Sequence, residues 1–370
     1  MEKNKKRVLL VSCDDLSNGG VQNVIMNIVR ELHDEYAFDI ILNTKKKSYY
    51  EDEFVSYGGK IYRIEFIKSK SHLLNIFLIL FRWIRNYNTI NKIFKDNRYI
   101  AVHCNNDLES WYILKAAMRH DIGLRISHNH RIIGTTNKFF IRLYISYCAK
   151  KIVKYSTCIV GCSKESLDYL DSNGNQIIID NPFNSMDLKY NKKNDNDFSI
   201  IQIGSYSKNK NQLFSLKVFK EILSKYHNAS LVFIGFDNES GYVNQMKSEI
   251  ERMRIENNVL LLPHNTEKQE ALSNSSYMLF PSIEEGFGIV LVEAQAVGLK
   301  CFVSDSVPKS VNCGGCVYLP LSAGPKKWAD TIIDDYIKTH GEHIKYDCSR
   351  FDLKKIANIY RDLYEGKLNE

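Results

Sequence analysis

Two glutamates, Glu285 and Glu293, sit with seven residues between them in the segment Phe280-Pro281-Ser282-Ile283-Glu284-Glu285-Gly286-Phe287-Gly288-Ile289-Val290-Leu291-Val292-Glu293. The apolar run ending at Phe280 reads as a strand, a glycine-containing loop follows, and a helix begins near Gly288. A helix start offers free backbone N–H groups and the positive end of the helix dipole. Glycines at 286 and 288 allow a phosphate to approach the backbone closely. Glu285, just before the helix, and Glu293, more than a turn inside it, can accept hydrogen bonds from the hydroxyls of a sugar and of a ribose. The plainer reading is a favourable glutamate near a helix N-terminus and a solvated one further on. The apolar neighbours Val290, Leu291, Val292, Ala294 and Ala296 weigh against that reading for Glu293.

Three further stretches carry chemistry. Ile203-Gly204-Ser205-Tyr206-Ser207-Lys208-Asn209-Lys210-Asn211 puts two lysines in a turn-rich loop, suited to a phosphate or simply to solvent. Ser17-Asn18-Gly19-Gly20-Val21 follows a strand-like run and opens a helical one. Its glycine pair can form a nest for an anion, or merely serve a turn. Ile126-Ser127-His128-Asn129-His130 ends a strand with two histidines on one side. A metal there would need a further ligand, and no carboxylate or cysteine lies in register. The letters His-Asn-His also occur in nucleases, but the surrounding pattern is not that of a nuclease. His103 ends another strand, where pocket lining and core packing are equally open.

The elements that must position these residues form one repeating pattern. Short β-branched runs at 8–11, 38–42, 100–104, 124–127, 159–162 and 177–179 alternate with helical stretches. The first of these helices shows its apolar face at Val21, Val24, Ile25, Ile28, Val29 and Leu32. The polar stretch Tyr190 to Asp197 reads as a linker. The alternation then restarts with strands at 199–203, 231–234, 259–262, 277–280 and 301–303 and a helix at 213–223. This is the signature of α/β architecture with parallel sheets covered on both faces, built twice. Ligands of such folds collect at the carboxyl ends of the strands.

The run Ser282 to Val297, with its paired glutamates, Gly-Phe-Gly after the first and Glu-Ala at the second, resembles retaining glycosyltransferase family 4, and the resemblance extends over nearly the whole chain. It implies the GT-B architecture, two Rossmann-like parallel-sheet domains facing each other across a cleft. The implied domains are an N-terminal acceptor-side domain at 1–189 and a C-terminal nucleotide-sugar domain at 190–351. A terminal helix at about 352–370 is expected to pack back on the first. The resemblance implies catalytic roles for His128 and Glu285. It implies donor binding by Gly19, Gly20, Ser205, Lys210, Gly286, Phe287, Gly288, Ile289 and Glu293. Lys210 matches the family's diphosphate lysine, whereas Ser205 stands where the family carries an arginine. Serine can hydrogen-bond a phosphate but brings no charge. Phe233-Ile234-Gly235 and Leu262-Pro263-His264 resemble strand ends that reach the cleft and the nucleotide base. The family needs no metal for catalysis. The substrates implied are a nucleoside-diphosphate sugar, with no other cofactor, and a glycan acceptor, lipid-linked, in the surface polysaccharide synthesis of a bacterium.

The bulk properties agree with an enzyme of that size. The chain has 370 residues, enough for two domains, and ordinary globular content with 44% hydrophobic and 25% charged residues. The net charge of +7 suits nucleotide diphosphates or an anionic membrane surface and is too small and dispersed to call for nucleic acid. The nine cysteines, several within apolar runs, read as buried thiols of a reducing compartment. Cys313 and Cys316 have metal-ligand spacing but lack a second such pair nearby. No signal peptide is evident, and the apolar stretch from Leu73 to Phe81 is too short to span a bilayer. The expected location is therefore cytoplasmic, with the basic and aromatic stretches Leu73 to Arg85 and Lys138 to Lys154 suited to the inner membrane surface or to core packing. Two other functions fit the pattern: a GT-B sugar-nucleotide epimerase, disfavoured by Gly-Phe-Gly after Glu285, and a sugar-nucleotide-binding partner protein with weakened catalysis, kept open by Ser205.

Overall fold

A computed structural model describes residues 5–12, 15–44, 46–64, 72–133, 139–170, 175–184, 198–237, 239 and 241–369, with the backbone alone at 72–83 and 369. The chain forms two compact units. The first comprises residues 1–182 and 353–370, the second 183–352. The polar stretch 190–197, read as a linker, lies outside the described residues.

The first unit holds strands β1 (Lys6–Ser12), β2 (Tyr36–Leu42), β3 (Ile61–Arg63), β4 (Ala101–Asn105), β5 (Leu124–Asn129), β6 (Cys158–Gly161) and β7 (Gln176–Ile178). They form one sheet in the order β3-β2-β1-β4-β5-β6-β7, with every pairing parallel. Parallel strands need crossovers, supplied here by helices α1 (Gly20–Leu32), α2 (Glu51–Ser56), α3 (His72–Asp96), α4 (Ser110–Arg119) and α5 (Phe139–Tyr155). Alternation along β1 sends Val8 and Leu10 to a core shared with α1, while Leu9 and Val11 join a second core with α4 and α5. That two-sided burial is why the strand reads as an unbroken apolar run. The 73–81 stretch falls within α3, and its side chains lie outside the described residues.

The second unit holds β8 (Ser199–Ile203), β9 (Ser230–Gly235), β10 (Val259–Pro263), β11 (Tyr277–Phe280), β12 (Lys300–Ser304) and β13 (Cys316–Leu319). Their order is β10-β9-β8-β11-β12-β13, again parallel throughout. Its helices are α6 (Gln212–Leu223), α7 (Tyr242–Met253), α8 (Lys268–Ser273), α9 (Ile289–Ala296) and α10 (Gly324–Thr339). The last helix, α11 (Leu353–Tyr364), belongs to the first unit, where Ile356, Ala357, Tyr360, Leu363 and Tyr364 enter the α1 core.

The strand assignments made from sequence match eleven of these elements. The two unforeseen strands, β3 and β13, are edge strands. β3 has three residues and β13 is half-buried throughout, so neither produces an apolar run. Each sheet reverses its order once, between β1 and β4 and between β8 and β11. A crevice opens at such a switch point beyond the carboxyl ends of the strands.

Candidate functional site

The switch point of the second unit brings together two loops far apart in sequence. Asn209 accepts from Glu284 N at its Oδ1 (3.0 Å) and donates through Nδ2 to Glu284 O (2.9 Å), and its carbonyl accepts from Ile283 N (2.8 Å). Asn211, in the left-handed conformation, donates to Pro281 O (3.2 Å). These bonds lace the loop after β8 to the loop after β11, so that Lys210 Nζ pairs with Glu285 Oε2. The two side chains are only 19% and 14% exposed, and Lys210 also lies 5.2 Å from the centre of the Phe280 ring. The sequence held Asn209 and Asn211 in plain view, but nothing in their local spacing marks them as the lacing residues.

Gly235 shows why this approach is tight. A Cβ there would stand 2.1 Å from Gly204 O, so only glycine admits the backbone of the neighbouring loop. Gly204 itself has φ +154° and Gly288 φ +90°, the latter capping α9 with no side-chain bond. The first turn of α9 carries no acidic residue, so its free N–H groups remain available to an anion. Gly286 and Ile289 line this helix start, half-buried, whereas Phe287 is buried with its ring 5.8 Å from Phe351 and presents backbone alone. Ser205 is also half-buried, with its carbonyl accepting from Gln212 Nε2 (3.0 Å). Lys208 lies apart, largely exposed and 3.3 Å from Glu239.

Glu293 lies one turn further along α9. Its side chain is 18% exposed, and its Oε2 is buried without a hydrogen-bond donor, the nearest cation being Lys268 at 3.8 Å. A carboxylate oxygen in that state lacks the bonds such groups almost always make. The placement of α9 depends on Gln295, which sequence reasoning missed. Fully buried, it donates to Leu291 O and Val311 O (both 2.9 Å) and accepts from Cys313 N (2.8 Å) and Gly315 N (3.0 Å).

In the first unit, Gly19 precedes α1 as an extended N-cap without a side-chain bond, and a Cβ on Gly20 would meet nothing within 4 Å. A Cβ on Gly19, by contrast, would stand 2.5 Å from Gln22 Oε1, so the open space lies at Gly20. Two strands along, His128 is enclosed at 0% exposure, stacked on His103 with ring centres 5.3 Å apart and tilted against His130 at 3.8 Å. His103 Nε2 lies 3.1 Å from His128 Nδ1, and His103 Nδ1 lies 2.8 Å from the Tyr364 hydroxyl of α11. His103 is therefore a core residue joined to the last helix.

Burial pushes His103 and His130 down to about 3 and His128 well below its ordinary value, helped for His128 by its two histidine neighbours. All three rings are neutral, so one proton lies between His103 and His128. His128 Nε2 remains without a partner in either proton order. His130, one pleat nearer the strand end, bonds Asn105 Oδ1 through Nε2 (2.9 Å), which makes Nε2 the donor and leaves Nδ1 a bare acceptor. Among the described residues, no group of three or more histidine, cysteine or acidic side chains is arranged to hold a metal ion.

Two parallel α/β sheets with these switch-point loops define the GT-B architecture. Residues 185–311 match the family Glycosyl transferases group 1. Over 97% of its length the chain is 25% identical to the putative glycosyltransferase EpsF of Bacillus subtilis, covering 97% of that protein. It is also 25% identical to the capsular polysaccharide biosynthesis glycosyltransferase CapH of Staphylococcus aureus, over 95% of this chain and 97% of that one. Its fold matches Anabaena HepE, solved in complex with UDP and glucose, at a TM-score of 0.74 and 14% identity, covering 97% of this chain and 99% of the other. The chain is thus similar to glycosyltransferases over nearly its whole length, and residues 185–311 are the part that matches the group 1 family.

Proposed function

We propose that this enzyme moves a hexose-type sugar from a nucleoside-diphosphate donor to a glycan acceptor, with retention at the anomeric carbon. The unsatisfied Oε2 of Glu293, beside an open helix start and within one unit with Lys210, carries this reading. A ribose hydroxyl would satisfy the carboxylate, and the diphosphate would lie on the α9 amides and Lys210. Gly19 and Gly20 offer further backbone donors in the first unit, and Ser205 offers a hydroxyl where an arginine would bring charge. Glu285 orients the sugar.

In the reaction, the bond from the anomeric carbon to the diphosphate oxygen breaks as the acceptor hydroxyl forms its new bond on the same face. The acceptor proton passes to the departing phosphate oxygen. Lys210 and the α9 amides stabilise the charge growing on that oxygen. No covalent nucleophile is required of the protein.

The capsular role in the name of CapH supports a surface polysaccharide as product. A lipid-linked acceptor fits α5. Phe139, Phe140, Ile141, Leu143 and Tyr147 are exposed on it at 40–77%, and Arg142, Lys150, Lys151 and Lys154 accompany them with no acidic residue in the helix. Exposed aromatic and basic groups of this kind settle into anionic bilayer surfaces. No helix among the described residues is long and apolar enough to cross a membrane.

The test is a calorimetric panel of UDP- and GDP-sugars, followed by product analysis with the donor that binds best. Binding of one donor and transfer with retained configuration is the expected outcome. Absence of binding by all donors, or inversion in the product, overturns the proposal.

A further inference from the structure

The loop after β2 is fastened at many points. Glu51, 4% exposed at the start of α2, is the hub. Its Oε1 accepts from Ser48 N (2.8 Å) and Ser48 Oγ (2.6 Å), and its Oε2 accepts from Arg63 Nη2 (2.5 Å). Arg63 Nη1 donates in turn to Thr44 O (3.0 Å) and Lys46 O (3.3 Å). The same loop grips the β1–α1 turn. Ser48 Oγ accepts from Leu16 N (3.0 Å), and Tyr50 N donates to Leu16 O (2.8 Å). The Tyr50 hydroxyl lies 3.0 Å from Asn18 Oδ1 and 2.5 Å from Asn23 Oδ1, and Arg30 covers the Tyr50 ring at 5.2 Å. Both loops leave the carboxyl ends of the neighbouring strands β1 and β2. Residues 48–50 are thereby fixed beside Asn18, which precedes the Gly19-Gly20 pair.

On this frame stands Tyr49. Its ring is 65% exposed and nearly perpendicular to Tyr50, with centres 4.8 Å apart. Among the described residues of the first unit it is the one exposed Phe, Tyr or Trp side chain outside α5. Lys46, Lys47 and Asp52 around it are exposed, and Lys47 pairs with Asp52 at 2.7 Å. An apolar protein partner or a bilayer needs a contiguous apolar patch, which one ring among charges does not supply. A sugar ring needs less: an aromatic face for its C–H face and polar groups at the rim for its hydroxyls. Asn18, bonded to the Tyr50 hydroxyl, brings an amide to the same frame. A ring held in place before contact also loses little freedom on binding.

We propose that Tyr49 is a stacking platform for a sugar ring of the glycan acceptor, held beside the β1–α1 turn by Glu51 through Ser48. This rests on the reading of the chain as a transferase to a glycan, and it names a subsite for that acceptor.

The test labels the full-length protein with 3-fluorotyrosine and follows its fluorine NMR spectrum. The Tyr49 resonance, one of 22, is identified by its loss in Tyr49→Phe. The probes are methyl glycosides of the common hexoses, N-acetylhexosamines and hexuronic acids. At least one is expected to shift the Tyr49 resonance saturably. Saturation-transfer NMR on that glycoside then compares the variants. Tyr49→Ala should bind it about tenfold more weakly, the share that a stacked ring carries, and Tyr49→Trp should retain it. Position 49 is exposed, so both variants should melt as the parent does. A Tyr49 resonance that no glycoside moves overturns the proposal, and so does undiminished binding by Tyr49→Ala. Titration with UDP reports separately on the donor reading. Donor binding without a Tyr49 shift removes the platform alone, and a Tyr49 shift without donor binding removes the donor site alone.

Discussion

Replacing Glu285 with glutamine separates binding from transfer. In the free protein Lys210 is held by Glu285, with both side chains less than a fifth exposed. A donor diphosphate must compete for that ammonium and also meets the negative charge of Glu285. Glutamine keeps the shape and a hydrogen bond to Lys210 while removing both obstacles. Two unit charges about 4 Å apart attract by about 4 kcal/mol near a protein surface. Residual solvent access and the retained hydrogen bond reduce the effective gain to ~1–2 kcal/mol, which is about five- to thirtyfold in affinity. Glu285→Gln should therefore bind UDP about five- to thirtyfold more tightly by titration calorimetry. Sugar transfer should fall on the order of 100-fold or more, because the carboxylate proposed to orient the sugar is gone. The opposite pattern, weaker UDP binding with transfer retained, refutes the pairing of Lys210 with both carboxylate and diphosphate.

Acid should destabilise the first unit early. His103 and His130, at about 3, and His128, lower than usual, refuse protons that the unfolded chain accepts near pH 6.5. Their stabilisation is complete above about pH 6.5 and lost as pH falls toward about 3, at up to ~1.4 kcal/mol per histidine per pH unit. A melting temperature that stays flat from about pH 7.5 to about pH 5.5 contradicts this. Gln295→Leu removes the acceptor of Cys313 N and Gly315 N, costing about 2–4 kcal/mol. Thermal unfolding of the second unit should shift down on the order of 10 °C, and an unchanged transition rejects the anchoring role. Phe140, 77% exposed, should carry much of any bilayer contact, so Phe140→Glu lowers co-sedimentation with anionic vesicles about tenfold. Equal sedimentation of variant and parent removes α5 from the membrane surface.

The sequence by itself determined the repeating α/β pattern, because strands buried on both faces must be apolar and helices must show a 3.6-residue face. It also determined the glycine-containing helix start before Glu293, since local backbone conformation is written in local residues. What it could not determine is which distant residues meet. Lys210 and Glu285 are 75 positions apart and touch because β8 and β11 are neighbours in the sheet, with Asn209 and Asn211 lacing their loops. His103 and Tyr364 are 261 positions apart and bond because α11 returns to the first unit. Strand order and helix return are decided by burial summed over a whole unit, and no single stretch of residues records that sum.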